Sequence, residues 1–353
     1  MKQIQIIAVC CGIILLSACD KKKSDDFDRT ALLTNLYSNV IMPDYNMLQT
    51  SAAAFKVSAD TFLANPNTAT LNALKTAYTQ TYIHFQSVEF LSFTQVSDLR
   101  NDLNSFPPDT AQINNNIATG TYNLSSVNNI RAKGFPAIDY LLFSQDAASS
   151  VSSFSNASRK TYLNDIVTEI HDKAKAANDE WNSIQNTFVS ASGTDAGSSV
   201  GMLVNDLSFA VERNRRERTG NALGYVGVIQ GGVLKPEAVE AYYSGESKEL
   251  LIENLQQLKN VFEGGSGVGF DDYLNNLGAD YNGTPLATEI SVQFDKTIAA
   301  AEAIPVKLSE AVSSNNAAVE ALFLEQKKLV VLIKVDMSSN LGVIINYSDN
   351  DGD

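Results

Sequence analysis

The most informative part of the sequence is one long amphipathic stretch, SRKTYLNDIVTEIHDKAKAANDEWNSIQNTFVSA, which covers residues 158–191. Its apolar side chains recur every three or four positions, at Tyr162, Ile166, Ile170, Ala174, Ala177, Trp181, Ile184 and Phe188. This spacing places them on one face of an α-helix. The stretch therefore predicts a single long helix with a buried stripe, which stops before Gly193.

Similar periodicity covers most of the chain. A stripe from Leu71 to Val88 predicts a helix over residues 68–93, and an earlier helix over residues 28–63 should be perturbed at Pro43, which has no amide hydrogen to donate. Further helices are predicted at residues 199–218, 247–263, 285–303 and 317–337, and only residues 341–347 look β-like. The sequence therefore predicts an all-α protein made of two packed helical-bundle domains.

Length and charge set limits on organisation and partners. At about 150 residues per domain, 353 residues favour two domains, which we place at 28–148 and 149–353, with the Gly-rich span 220–232 as an alternative boundary. The formal net charge is −14 at pH 7. Nucleic acid is therefore not an expected partner, because binding its phosphates requires a cationic surface.

The N-terminus predicts an exported, lipid-anchored protein. Residues 1–18 have the charged start and apolar run of a signal peptide and end in Leu-Ser-Ala before Cys19, which resembles the bacterial lipobox. Cys19 is then the lipidated residue and residues 19–27 are a tether, while a plain secretory signal is the alternative. The acidic pair Asp25-Asp26 loosely resembles surface-export signals of Bacteroidetes lipoproteins. We therefore expect an outer-membrane location, on the periplasmic face or the cell surface.

Three further segments carry a family resemblance. The first is Ser87–Phe90, followed by Arg100 and by Phe-Pro-Pro-Asp at residues 106–109. The second is KGFPAIDYLLF at residues 133–143, and the third runs from Glu212 through PEAVEAYYS at residues 236–244 to Leu341-Gly342-Val343. Together they resemble the imelysin family, which is named after a bacterial peptidase and is similar to helical periplasmic iron-uptake components.

The second segment departs from the family's pattern. It aligns with Gly-x-His-x-x-Glu, but Pro136 and Asp139 stand at the histidine and glutamate positions after Gly134. Proline cannot ligate a metal, so Asp139 is the one candidate ligand left in the motif, for iron or zinc, and the cofactor stays open. The structural alternative is that Pro136 opens a helix and Asp139 complements its dipole.

Catalysis could only be carboxylate-based, because the three cysteines lie at positions 10, 11 and 19 and only His84 and His171 are available as imidazoles. Glu89 and Asp139 are the leading candidate catalytic residues, and Glu212 and the pair Asp271-Asp272 are weaker candidates. The cationic run over residues 212–218 is either a helix C-terminus or a clamp that binds an anion or a carboxylate. Ser244 and Ser247 are either substrate contacts or helix caps, with Ser247 as the N-cap. The predicted cleft comprises Glu89, Gly134, Pro136, Asp139, Glu212, Arg213, Ser244 and Ser247.

Three functions remain open. The resemblance favours a binding or accessory protein of iron acquisition, with the membrane and envelope iron-uptake proteins as partners. An imelysin-type peptidase is the alternative. Enzyme activity therefore stays open, and the sequence favours its absence. The third reading is a structural or partner-docking lipoprotein.

Overall fold

The computed structural model of the protein describes residues 26–92, 99–225 and 232–347. The predicted signal peptide and the predicted lipidation residue Cys19 lie outside the described residues. Sixteen helices occupy most of the described chain: α1 Arg29–Asn35, α2 Met42–Ala64, α3 Thr68–Gln86, α4 Leu99–Leu103, α5 Thr110–Thr119, α6 Gly134–Phe143, α7 Ala147–Ser153, α8 Ala157–Ser183, α9 Gln185–Ser190, α10 Ser199–Arg213, α11 Ser247–Glu263, α12 Phe270–Leu277, α13 Leu286–Glu302, α14 Leu308–Ser314, α15 Asn316–Val331 and α16 Ser338–Leu341.

Three π-helical segments continue these helices, at Leu36–Ile41, Asn214–Gly220 and Leu332–Met337. Single 3-10 turns occur at Val127–Asn129 and Pro236–Ala238. The predicted all-α fold is confirmed, and no described helix is both long enough and apolar enough to cross a membrane.

The long amphipathic stretch forms α8 and α9, with a break at Ile184. Its stripe is buried, and Trp181 packs at 5.4 Å from Tyr45 of α2 and at 5.3 Å from Phe188, measured between ring centroids. Helix α2 packs against both α3 and α8. These contacts join helices from both sides of residue 148, and the proposed domain division stays a prediction.

Farther along the chain, α13 packs between α11 and α15, and α15 also contacts α10 and the segment Asn214–Gly220. The expected perturbation at Pro43 is the π-helical segment Leu36–Ile41, where the amide of Met42 donates to the carbonyl of Tyr37. This wider turn ends at Ile41, two residues before the proline, which lacks an amide hydrogen.

Two predicted elements are wrong. Helix α3 ends at Gln86 rather than at residue 93, because the chain turns at Ser87–Phe90 and carries Glu89 toward α10. Residues 341–347 form no strand; the amide of Asn346 donates instead to the side chain of Asn205 at 2.9 Å.

The described chain pairs its strands elsewhere, in a two-stranded antiparallel hairpin of β1 Asp280–Tyr281 and β2 Thr284–Pro285. Its turn residues Asn282 and Gly283 both have positive φ, at 54° and 88°. This is the geometry that Asn-Gly turns favour in short hairpins.

Candidate functional site

Glu89 is buried at the centre of an ionic cluster. Nη1 of Arg213 donates to both carboxylate oxygens of Glu89, at 2.7 and 2.6 Å, and Nη2 of Arg218 donates to Oε1 at 2.5 Å. Only 4% of Glu89 is exposed. The arginines of the cationic run therefore bind a carboxylate of the protein itself and not that of a ligand. Arg218 also lies in the last turn of its helical segment, which ends at Gly220, as the structural alternative expects.

The π-helical segment Asn214–Gly220 explains how both arginines reach one carboxylate. Residues five apart on an α-helix point about 140° away from each other. A π-helix bonds each amide to the carbonyl five residues earlier, so residues five apart lie on nearly the same face. Arg213 and Arg218 are five apart across this segment, and both therefore face Glu89.

A second buried carboxylate, Glu240, completes the cluster. Nε of Arg218 lies 2.8 Å from Oε2 of Glu240. Three neutral side chains donate to Oε1: Asn104 at 2.7 Å, Gln86 at 2.9 Å and Tyr82 at 3.0 Å. We call Glu89, Arg213, Arg218, Glu240 and Asn104 the Glu89 cluster. Its two positive and two negative charges balance, as burial of charge requires.

The surroundings keep Glu89 ionised. Burial alone would raise the pKa of Glu89, but the charges of Arg213 and Arg218 outweigh it and lower the pKa to about 2. Burial alone would lower the pKa of Arg213, and the charge of Glu89 raises it instead. A carboxylate held between two guanidinium groups neither delivers nor takes up a proton near neutral pH.

Asp139 is buried in α6 and holds a loop. Its Oδ2 accepts the amide of Tyr243 at 2.8 Å and its Oδ1 accepts the amide of Ser244 at 3.0 Å. Burial raises the pKa of Asp139 to about 6, although these hydrogen bonds lower it. The same loop contains Glu240 and Ala241, and the φ of Ala241 is +49°. Asp139 therefore stabilises a strained loop that joins it to the Glu89 cluster.

Gly134 and Pro136 form the first turn of α6, and both are buried. Gly134 has a φ of +67°, and a Cβ built there would lie 2.2 Å from the carbonyl oxygen of Leu103. This close approach brings α6 against the end of α4, next to Asn104 of the Glu89 cluster.

Glu212 is not part of the Glu89 cluster. It is buried, and its Oε2 accepts hydrogen bonds from Nζ of Lys334 and from the hydroxyl of Tyr347, both at 3.1 Å. The adjacent residues Glu212 and Arg213 thus serve two different sites, because they lie about 100° apart around the helix.

The two serines have structural contacts. The N-cap of α11 is Glu246, so Ser247 is the first helical residue and the predicted Ser247 cap is wrong. The hydroxyl of Ser247 donates to the carbonyl of Glu240, and that of Ser244 donates to the carbonyl of Ala241 at 3.3 Å. Both hydroxyls fix the loop that carries Glu240 and Ala241.

The residues present do not fit an iron or zinc ion. Pro136 has no donor, and both oxygens of Asp139 accept backbone amides. His171 contacts Asp172 at 2.9 Å, and His84 lies beside Glu253. Within the described ranges, no three His, Cys, Asp or Glu side chains converge as metal ligands would. Asp271 and Asp272 lie apart, in the first turn of α12.

Sequence reasoning missed Glu240, Asn104 and Tyr82. Glu240 stands inside the quoted segment PEAVEAYYS, where Val239 and Ala241 on either side are buried. The same segment contains Glu237, which also stands between small apolar residues, Pro236 and Ala238, and is exposed. The sequence therefore offered no signal that separates the buried acid from the exposed one.

Comparison with known proteins supports the resemblance. The sequence model of the imelysin family matches residues 41–335. A solved structure from Parabacteroides distasonis, described as an iron-regulated protein A precursor, is 17% identical with a TM-score of 0.69, covering 91% of this chain and 96% of that one. An imelysin-like protein from Psychrobacter arcticum is 16% identical with a TM-score of 0.70, covering 91% and 97%. No curated protein matches. The two structures share the fold, and the matching family model covers most of the sequence, so this chain belongs to the imelysin family.

Proposed function

We propose that this protein is a non-catalytic imelysin-family lipoprotein that acts as a binding or accessory component of iron acquisition at the cell envelope, without itself holding the metal. One observation carries the proposal: both oxygens of Asp139 bind the amides of Tyr243 and Ser244. The carboxylate that aligns with the family's motif is therefore used to shape a loop.

A carboxylate peptidase finds less support. Glu89 is fully engaged by Arg213 and Arg218, and its lowered pKa leaves no proton to donate. Asp139 is 1% exposed, so substrate cannot reach it without displacing the loop. A general acid or base must contact the group whose proton it transfers.

The loop presents a surface suited to a protein partner. Tyr243 lies in edge-to-face contact with Tyr140 at 5.3 Å and with Tyr242 at 5.2 Å, and 38% of Tyr242 is exposed. Clustered tyrosines supply large, rigid contact area and are enriched at protein interfaces. The proposed role in iron acquisition is supported by the structural similarity to the protein described as an iron-regulated protein A precursor.

Metal analysis tests whether the protein itself holds a metal ion. The mature chain with Cys19→Ser, purified without chelator, should contain less than about 0.1 iron or zinc per chain, because one shielded carboxylate is too few ligands. Stoichiometric metal that is lost in Asp139→Ala would contradict the proposal. Pro136→His with Asp139→Glu restores the motif's ligand types and is the comparison variant.

Growth under iron limitation tests the proposed role in iron acquisition. A deletion strain should grow more slowly than its parent when iron is chelated and equally when iron is added. Wild type should rescue growth, whereas Tyr242→Ala with Tyr243→Ala should not. Tyr281→Ala, a half-exposed tyrosine in the β1–β2 hairpin, is the matched control and should rescue. Equal growth of parent and deletion strain in chelated medium would refute a role in iron acquisition.

Fatty-acid labelling tests the anchor. Wild type should incorporate radiolabelled fatty acid and Cys19→Ser should not. Label that persists in the variant would show that the lipobox resemblance is misleading.

A further inference from the structure

A second polar site lies outside the Glu89 cluster. It is a cavity of about 240 Å³ between α10, the residues that follow Glu89 and the C-terminal segment 343–347. Its lining includes Phe90, Arg100, Asp206, Phe209 and Tyr347. This volume is below the roughly 300–1,000 Å³ of drug-sized ligand sites, so a ligand here must be small.

A buried carboxylate forms one wall. Asp206 is 6% exposed, and it accepts hydrogen bonds from the amide of Ser92 at 2.9 Å and from the Ser92 hydroxyl. Burial raises the pKa of Asp206 to about 7, while Ser92 and the charge of Arg100 act in the opposite direction. A carboxylate offers about four acceptor positions, so Asp206 can accept further donors besides Ser92.

A cation and aromatic rings form the other walls. The guanidinium carbon of Arg100 lies 4.4 Å from the centre of the Phe209 ring, and that ring meets Tyr347 edge to face at 5.2 Å. Phe90 is buried beside them. The cavity therefore has a negative group, a positive group and apolar rings around one small volume.

The walls are held in place by hydrogen bonds. The hydroxyl of Tyr347 pairs with that of Ser208 at 2.9 Å and donates to Glu212. The side chain of Asn205 bonds the C-terminal segment at the carbonyl of Ile344 and at the amide of Asn346. Binding to such a fixed site orders little of the protein, which favours affinity for a small ligand.

We propose that this cavity binds a small zwitterion, an α-amino acid with an apolar side chain. Its ammonium group would lie on Asp206, its carboxylate would accept from the guanidinium of Arg100, and its side chain would pack on Phe90, Phe209 and Tyr347. Arginine's planar donors match a carboxylate. A plain amine would have no carboxylate for the donors of Arg100, and a plain acid would have no ammonium group for Asp206, so the zwitterion is favoured over either.

Calorimetric titration of the mature chain with L-phenylalanine at pH 8, where Asp206 with its pKa of about 7 is mostly ionised, tests this site. We expect L-phenylalanine to show saturable 1:1 binding. Phenethylamine, which lacks the carboxylate, and 3-phenylpropionate, which lacks the ammonium group, should each bind at least tenfold more weakly. No saturable binding of L-phenylalanine at millimolar concentration would overturn the proposal, and so would equal binding of either analogue.

Variants separate ligand contact from a structural role. Asp206→Asn and Arg100→Gln should each weaken binding at least tenfold, while Asp172→Asn, an exposed acid on α8, should leave it unchanged. Asp206→Asn could also disturb Ser92, so Phe209→Leu provides a second variant that keeps both charges and should weaken binding several-fold. Unchanged binding in Asp206→Asn and Arg100→Gln would refute the site.

Discussion

Glu89 is the residue on which the charge balance of the interior depends. Its carboxylate contacts Arg213 and Arg218, of which only 4% and 1% are exposed. Two guanidinium groups in a protein interior need such a partner, because their hydration is lost on folding.

We predict that Glu89→Gln lowers the free energy of unfolding by about 3–5 kcal/mol, the cost of breaking a buried ion pair. Urea unfolding at pH 7 measures it. Asp179→Asn removes an exposed pair with Lys175 and should change stability by less than about 0.5 kcal/mol. Equal effects of the two variants would show that the Glu89 cluster contributes no more than a surface pair.

Gly134 is needed for two separable reasons, its positive φ and its contact with Leu103. Gly134→Ala should therefore cost more than Gly278→Ala, since Gly278 has a φ of +68° but no atom within 4 Å of a built Cβ. We expect about 1 kcal/mol for Gly278→Ala from conformation alone and at least about 2 kcal/mol more for Gly134→Ala. Matching losses in urea unfolding would mean that α6 shifts freely away from α4.

The residues of the site were predicted better than their contacts. Glu89, Asp139 and Arg213 were found from the sequence, and the clamp was one of two readings of the run 212–218. The sequence could not show that Arg213 clamps Glu89, which is 124 positions away. Pairing between such distant residues depends on tertiary packing, and so does the role of Glu240.

At the level of elements, two of the three described π-helical segments contain cations that reach buried carboxylates. Asn214–Gly220 aligns the two arginines, and Leu332–Met337 contains Lys334, which reaches Glu212. A π-helical turn holds one residue more than an α-helical turn, so it changes which side chains share a face. Such turns are frequent at functional sites.

We predict that deletion of Arg216 is tolerated. It should convert the π-helical segment into an α-helix in which the two arginines are four apart and still share a face. The cost should be on the order of 1 kcal/mol, because the pair of Arg216 with Glu217 is partly exposed and the distance from Arg216 to Glu212 is a long 4.0 Å. Thermal melting followed by circular dichroism measures it.

Deletion of Lys175 is the matched control. Lys175 is exposed in the middle of α8, but its deletion turns Trp181 about 100° away from Ile170 on the buried stripe. We expect this variant to unfold or aggregate. Similar melting of both deletion variants would show that the π-helical segment has no special tolerance.

Helix positions could be predicted because buried stripes repeat along the sequence, as in α8. The ends of the helices could not be predicted in this way. Helix α3, for example, ends where the chain turns and brings Glu89 into contact with Arg213 and Arg218. The β1–β2 hairpin was missed although Asn282-Gly283 is a strong local turn signal, because two-residue strands carry no periodicity of their own.

At the scale of the whole molecule, buried carboxyl groups fall into two classes. Arginines lower the pKa of Glu89, whereas burial raises those of Asp44, Asp206 and Asp271. The first class stabilises the fold above the pKa of the unfolded carboxyl, and this stability is lost as pH falls toward 2. The second class stabilises the fold at low pH and loses that stability as pH rises. Stability should therefore be greatest in mildly acidic solution.

Asp44 on α2 gives the clearest test of this balance. Burial first, and then the charge of Glu253, raise the pKa of Asp44 from 3.8 to about 7, although Gln257 donates a hydrogen bond that lowers it. In this range the native state binds more protons than the unfolded state, so the free energy of unfolding falls between about pH 4 and pH 7. Above pH 7 the ionised Asp44 remains unfavourable beside Glu253.

Asp44→Asn removes this titration and keeps an oxygen for Gln257 to donate to. We expect a melting temperature about 2–4 °C above wild type at pH 8, which corresponds to roughly 1 kcal/mol, and a much smaller difference at pH 5, where Asp44 is protonated in the native state. Asp60→Asn changes an exposed acid on the same helix and should shift the melting temperature by the same amount at pH 5 and at pH 8. A gain for Asp44→Asn that is equal at pH 5 and pH 8 would place its cause in packing, since only the ionised carboxylate loses hydration on burial and is repelled by Glu253.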